Sequence, residues 1–234
     1  ELASIDRDLA GKYRLDADID LADAEFSQLA ANGSFTGELD GNGHVISNYR
    51  STAGGLFGTV DGSIHDLGVV DAKVSKEARN TGALADVQGE SGVFERVFST
   101  GEVEGMYAVG GLVGHQSGQV RDAFSEANVR GAKLRYAGGL TGISVTDQVY
   151  ATGTVTSETD RSVGGISGYG YIGTTLSNSI ALNPSLAGTR NVQSVISRIN
   201  KDDPSKAILL NNHSLSSTVV RGETDAEVGP ASLN

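Results

Sequence analysis

The 234-residue sequence contains no cysteine and no tryptophan, one methionine and 3 prolines. Without cysteine there is no disulfide staple, no catalytic thiol and no cysteine-ligated zinc. That composition suits the cytosol, and equally the secreted proteins of bacteria that seldom use disulfides. So little proline excludes collagen and proline-rich linkers. No run approaches the ~18 consecutive apolar residues of a membrane span, and the first residues do not read as a secretory signal. Basic residues are outnumbered, 18 against 29 acidic ones, for a net charge of -11. Such a field repels phosphate backbones and anionic bilayers, so neither nucleic acid nor membrane is an expected partner. The chain opens on Glu1 instead of Met and is expected to be a piece of a longer protein.

Glycine is abundant, at 32 residues, about twice the usual ~7%. Its placement is periodic. "AGGLFG" (Ala53 to Gly58), "TGALAD" (Thr81 to Asp86), "VGGLVG" (Val109 to Gly114), "AGGLTG" (Ala137 to Gly142) and "VGGISG" (Val163 to Gly168) follow one another at 28, 28, 28 and 26 residues. A period near 28 marks a repeat architecture. Glycine pairs interrupt every candidate helix, each glycine costing ~1 kcal/mol relative to alanine. The segments between them, such as "GVFERVFSTGEV" and "DQVYATGTV", are strand-length runs bounded by turn residues.

Two further columns keep the period: Val74, Val103, Val129, Val155 and Leu186, and the aromatics Phe98, Phe124 and Tyr150. About three short strands per repeat predict an all-β fold, a right-handed parallel β-helix of about 28-residue coils stacked ~4.8 Å apart. A β-propeller blade needs ~40–45 residues, and a leucine-rich frame is absent. Gly54, Gly55, Gly58, Gly82, Gly110, Gly111 and Gly114 of the first three hexads, and Gly138, Gly139, Gly142, Gly164, Gly165 and Gly168 of the last two, are expected at corners. There they would adopt positive φ or allow close approach of neighbouring coils.

Residues 1–34 are expected to form an opening strand and cap, with "KYRLDADIDL" (Lys12 to Leu21) alternating strictly as one half-buried strand. Residues 35–188 are the coils, beginning with "FTGELDGNGHVISNY", read as strand, tight turn and strand. Residues 189–234 form a partial coil, a charged loop at "NKDDPSK" and a frayed tail.

The hexads resemble the GLUG repeat, named for Gly-Leu-hydrophobic-Gly. The order "YRLDADIDL", "FTGELDGNGHVISNY", "GGLFGTVDGSIHDLGVVDAKV", hexads, then "NSIALNPSLAGTRNV" resembles the non-catalytic segment of streptococcal immunoglobulin A1 protease-type zinc metallopeptidases, over roughly Lys12 to Val195. "TGALAD" departs from the pattern by ending in Asp86. The resemblance implies an accessory domain of a secreted or wall-attached bacterial protein, with a host glycoprotein such as immunoglobulin A1, and the neighbouring domains of the parent chain, as partners. A monomer is expected. An adhesin segment with no enzyme attached, and a carbohydrate-active β-helix enzyme, are the alternatives.

The residues themselves offer little catalytic chemistry. None of His44, His65, His115 and His213 is followed by glutamate, so H-E-x-x-H is absent. "GYGYIG" (Gly168 to Gly173) satisfies G-x-G-x-x-G, but no helix follows for a dinucleotide. Asp16, Asp18 and Asp20 mimic the start of an EF-hand, but Leu21 and Ser27 fail at its glycine and glutamate positions. Ser117 lacks the G-x-S-x-G frame. Asp66, Glu95, Arg121 and Asp147 are expected to be neighbours on consecutive coils, where mixed signs suit charge pairing. No cofactor, metal or catalytic residue is expected. Two residues before each hexad stand Ser51, Arg79, Tyr107, Arg135 and Arg161, with Met106 and Tyr136 beside them. Arg79, Tyr107, Arg135, Tyr136 and Arg161 form the candidate partner-binding edge, because arginine and tyrosine carry binding energy at interfaces.

Overall fold

The computed structural model describes residues 2–22, 24–77, 79–132, 136–143, 146–158, 162–170, 175–198, 208–221 and 231–233. The chain is a parallel β-solenoid of about six turns, with coils roughly 28 residues apart. One 18-stranded sheet and two five-stranded sheets make up its faces, and the strands pair in parallel throughout. A representative coil runs along the broad sheet as Val93–Gly105, turns into Ala108–Gly110, reverses through Gly111 and Leu112, and returns as Val113–Gln116.

The valine column is a register. Val74, Val103, Val129, Val155 and Leu186 pair in sequence, all at or below 1% exposure. The aromatic column holds too. Phe98 and Phe124 stack at 4.8 Å and 6°, and Phe124 and Tyr150 at 4.6 Å and 4°, half-exposed on the outer face.

A third column sets the shape of the broad sheet. Asp66, Arg96, Asp122, Gln148, Asn178 and Asn211 all have φ between 51° and 55°. This left-handed residue bends each coil. Asp and Asn tolerate it; Arg and Gln do so at a cost of order 1–3 kcal/mol. At Arg96 the guanidinium fork on Asp66, at 2.6 and 2.9 Å, offsets that cost.

The hexads form a tight arch in which two sheets meet backbone against backbone. A Cβ on Gly110 would lie 2.1 Å from the Val113 carbonyl oxygen, and one on Gly142 2.6 Å from the Val109 nitrogen. The middle glycine abuts the next coil: a Cβ on Gly139 would lie 2.2 Å from the Gly165 carbonyl oxygen. Leu56, Leu84, Leu112, Leu140 and Ile166 fill the bend and are buried. Their backbone N–H groups run from coil to coil, as in Leu112 to the Leu140 carbonyl at 2.9 Å and Leu140 to that of Ile166 at 3.0 Å. Among the hexad glycines only Gly54 has positive φ, at 136°. The others are glycine because there is no room for a side chain.

Several expectations change. Lys12 to Leu21 is not one strand but two, Lys12–Arg14 and Ile19–Asp20, each paired to the next coil. Leu15 and Leu21 are buried while Ala17 is exposed. A 3-10 helix, Leu2–Arg7, lies before them with Leu2 and Ile5 buried, and Asp6 accepts the Ala30 N–H at 2.8 Å. The Asp-Gly-Asn-Gly turn joins Glu38–Asp40 and Val45–Ser47, which do not pair with each other as in a hairpin. Both pair with Ser63–Ser75, and the turn is a solenoid corner with Asn42 at φ 53° and Gly43 at 81°. Most of the expected charged loop and tail lies outside the described residues. Ala231–Leu233, however, is not frayed: it pairs in register with His213–Leu215.

Candidate functional site

The arginine–tyrosine edge lies at the mouth of the arch, where the two small sheets diverge. Tyr136 pairs with Ala108 on one side and Ser162 on the other, so it stands one step nearer the arch than the position of Tyr107. The exposed Arg79 guanidinium lies over the Tyr107 ring, 5.8 Å from its centroid. Tyr107 meets Tyr136 edge-on at 5.8 Å, and Tyr136 meets Tyr169 at 4.6 Å. Arg79, Tyr107, Tyr136 and Tyr169 are thus one continuous run of half-exposed rings ending in a cation, each contact within ordinary cation–π or aromatic range.

Arg135 and Arg161 lie outside the described residues. Ser51 does not belong to the edge. It pairs with Val74, because its coil passes from the broad sheet into the first hexad with almost no connecting segment. Sequence reasoning missed Tyr169. It occupies the position just past the hexad, aligned with Ile143, His115 and Val87, and that column was open to the same counting that found the others. Burial pushes the half-buried His115 of this column below the usual histidine range, so it faces the arch mouth uncharged at neutral pH.

Of the acid–base column expected on the broad sheet, Glu95, Arg121 and Asp147 are in register, and only the place given to Asp66 is off by one. His65, not Asp66, is aligned with Glu95, Arg121 and Asp147, and Asp40 precedes it. The left-handed residue that follows each of these positions carries Asp66 and Arg96 instead. Glu95 takes Arg121 at 2.5 Å and also Arg96. Asp147 accepts the Ser177 hydroxyl at 2.7 Å. Hydrogen bonds from Arg96 hold Asp66 down at about 2, those from Arg121 lower Glu95, and the Ser177 hydroxyl lowers Asp147. Carboxylates kept ionised in this way are poor general acids.

His65 sits between Glu38, Asp40 and Asp66, at 3.4, 3.6 and 2.9 Å. Burial pushes it down, but hydrogen bonds to Asp66 and Glu38 outweigh this and raise it. Asp40, His65 and Asp66 bring three ligand atoms within 4.8 Å of one another. They are the residues that could hold a cation, but the fork of Arg96 already occupies both oxygens of Asp66. The EF-hand-like aspartates are corner staples. Asp18 accepts the Val45 N–H at 3.0 Å and contacts His44 at 3.0 Å, and Asp20 accepts from Asn48 at 2.8 Å.

Asp86, the irregular hexad position, closes a buried network. Its carboxylate accepts the Gly55 N–H at 2.9 Å and the Gln28 amide at 2.8 Å, and pairs with Lys76. Gly54 adopts its positive φ beside it, where a Cβ would lie 2.2 Å from the Asp86 oxygen. Tyr49 donates to the Gly55 carbonyl at 3.0 Å, and burial pushes its hydroxyl up to about 12. Burial likewise raises Asp86, against the pull of Lys76. The irregular hexad is therefore compensated within its own arch.

This geometry has known counterparts. The fold is that of immunoglobulin A1 protease-like chains. A Bacteroides ovatus chain assigned as an immunoglobulin A1 protease superposes with a TM-score of 0.79 at 24% identity, covering 98% of this chain and 77% of that one. A second chain, described as an IgA1 protease, gives 0.68 at 18% identity, covering 99% of this chain and 20% of its own length. In sequence, halomucin of Haloquadratum walsbyi is 39% identical over 123 residues, 44% of this chain and 1% of halomucin. The chain thus spans a small part of that relative. No family model matches. No helix of the described residues is long and apolar enough to cross a membrane.

Proposed function

We propose that this chain is a non-catalytic accessory β-solenoid of an extracellular, secreted or cell-surface bacterial protein of the immunoglobulin A1 protease-like type. It serves as a rigid scaffold and as a contact surface for a host glycoprotein, immunoglobulin A1 being the first to test. The observation that carries the reading is the continuous Arg79–Tyr107–Tyr136–Tyr169 run. Cation and aromatic faces gather there on a chain of net charge -11, and these side chains suit acidic or sialylated glycoprotein surfaces.

The test is a binding titration of the chain and of an Arg79→Ser/Tyr107→Ser variant against human immunoglobulin A1 at two ionic strengths. The variant should fold normally and bind roughly tenfold more weakly, about 1.4 kcal/mol, with the larger loss at low salt. The isolated chain should leave the immunoglobulin uncleaved. Equal affinities, or cleavage, would overturn the reading. The match to halomucin favours a second one, an adhesin repeat segment with no peptidase attached. An H-E-x-x-H elsewhere in the same gene separates the two.

A further inference from the structure

A groove of about 390 Å³ lies on the outer face of the broad sheet, within the range of ligand sites. Its two walls are rows of side chains. Lys73, Glu102 and Asn128 are in register on one row, where Thr154 joins Asn128; Ser75, Glu104, Arg130 and Thr156 are in register on the other. The rows are two residues apart along each strand, hence about 7 Å. Val103 and Val129 between them point into the core, so the floor is backbone.

The chemistry of the walls selects a ligand. Two cations face two carboxylates, so within the groove the charges cancel on an otherwise acidic chain. Lys73–Glu102 at 3.7 Å and Arg130–Glu104 at 3.9 Å are longer than hydrogen bonds, which leaves both carboxylates with acceptor sites to fill. Arg130 is steadied from outside by Glu158. Asn128 Oδ1 accepts both the backbone N–H of Thr154, at 3.0 Å, and its hydroxyl, at 2.7 Å. That fixes the amide plane and leaves its two N–H donors without a partner among the described residues. No aromatic side chain lines the groove.

An apolar ligand gains little on such walls, and an ion meets no net field. A neutral polyhydroxylated chain is matched: its hydroxyls donate to Glu102 and Glu104 and accept from Asn128, Lys73 and Arg130. We infer that this groove binds a short stretch of neutral oligosaccharide. From the Lys73 coil to the Thr154 coil is about 14 Å, room for a trisaccharide. The groove and the Arg79–Tyr169 run lie on different sheets, so either can bind without the other.

The experiment titrates the 234-residue chain with cellotriose, maltotriose and triacetylchitotriose, by calorimetry and by chemical-shift perturbation. 3′-Sialyllactose and an alternating Lys-Glu peptide serve as competing probes. At least one neutral trisaccharide should saturate at millimolar concentration or below. Asn128→Ala and Glu104→Gln should each weaken it about fivefold with the coil fold retained, while Arg79→Ser/Tyr107→Ser should not alter it. Tighter binding of sialyllactose or of the peptide overturns the inference. So does the absence of saturable binding up to ~10 mM, or binding indifferent to both groove variants.

Discussion

The broad sheet and the arch sheets bury their inner faces by opposite means. In the broad sheet, Ile64, Phe94, Val97, Val103 and Val129 fill the interior with side chains, and the column Val74, Val103, Val129 and Val155 repeats one residue type. In the arch, side chains are largely excluded: glycine faces backbone, and the large buried side chains are the leucine or isoleucine at the bend and Phe57 of the first hexad. Packing of the first kind tolerates changes of volume through small shifts of rotamer. Packing of the second kind has nothing soft to move.

The largest test of that contrast is Gly139→Val. Its Cβ would lie 2.2 Å from the Gly165 carbonyl oxygen and 2.8 Å from the Ala151 Cβ, so a strand of the next coil must separate. The expected cost is about 4 kcal/mol or more, or failure to fold, read from urea midpoints. A loss under about 1 kcal/mol would mean that the arch yields as easily as the broad sheet.

Phe124→Ala on the broad sheet removes the middle of the aromatic stack. Because the rings are half-exposed, the expected loss is about 1–2 kcal/mol, with the coil register kept. A loss matching that of Gly139→Val would erase the distinction.

The smallest effect concerns acid, and here the two regions have opposite signs. Hydrogen bonds from Arg96 hold Asp66 below its ordinary value, down to about 2. Its contribution is present above the ordinary carboxylate range and is lost as pH falls through about 2. Asp86 in the arch is raised by burial, so lowering the pH from above that raised value toward the ordinary one stabilises the fold at this site. Urea midpoints measured from pH 7 to 2 should show the parent losing its advantage over Asp66→Asn, and gaining on Asp86→Asn. Slopes of the same sign would refute the assignment.

The same contrast decides what the sequence reveals. The valine and aromatic columns were legible because side chains that stack on one another recur as letters. The hexads were legible as a period, but their physical role was not. Glycine serves positive φ and close approach alike, and only the structure separates Gly54 from Gly110 or Gly139. Counting from the hexads misplaced Ser51, whose coil has a shorter passage from broad sheet to arch. It also put Asp66 where His65 stands in the acid–base column, because the Ser63–Ser75 strand carries one extra residue between Val69 and Ala72, at the left-handed Asp71, and such a bulge leaves no mark in the alphabet. Of the candidate edge, Arg79, Tyr107 and Tyr136 are brought together. Tyr169 was hidden in "GYGYIG", a string that invited comparison with phosphate loops and turned attention from its second letter. The groove was illegible for another reason. Lys73, Glu102, Asn128 and Arg130 are ordinary surface residues until the register sets them side by side.

The strands of every coil run across the long axis, and the hydrogen bonds between coils run along it. Tension applied between the two ends therefore pulls on those bonds along their own direction and opens them one coil at a time, like a zip. A coil of roughly 28 residues pays out about 95 Å of chain at ~3.4 Å per residue before the next one carries the load. Under tension such a stack would lengthen in coil-sized steps and re-form when the tension is released.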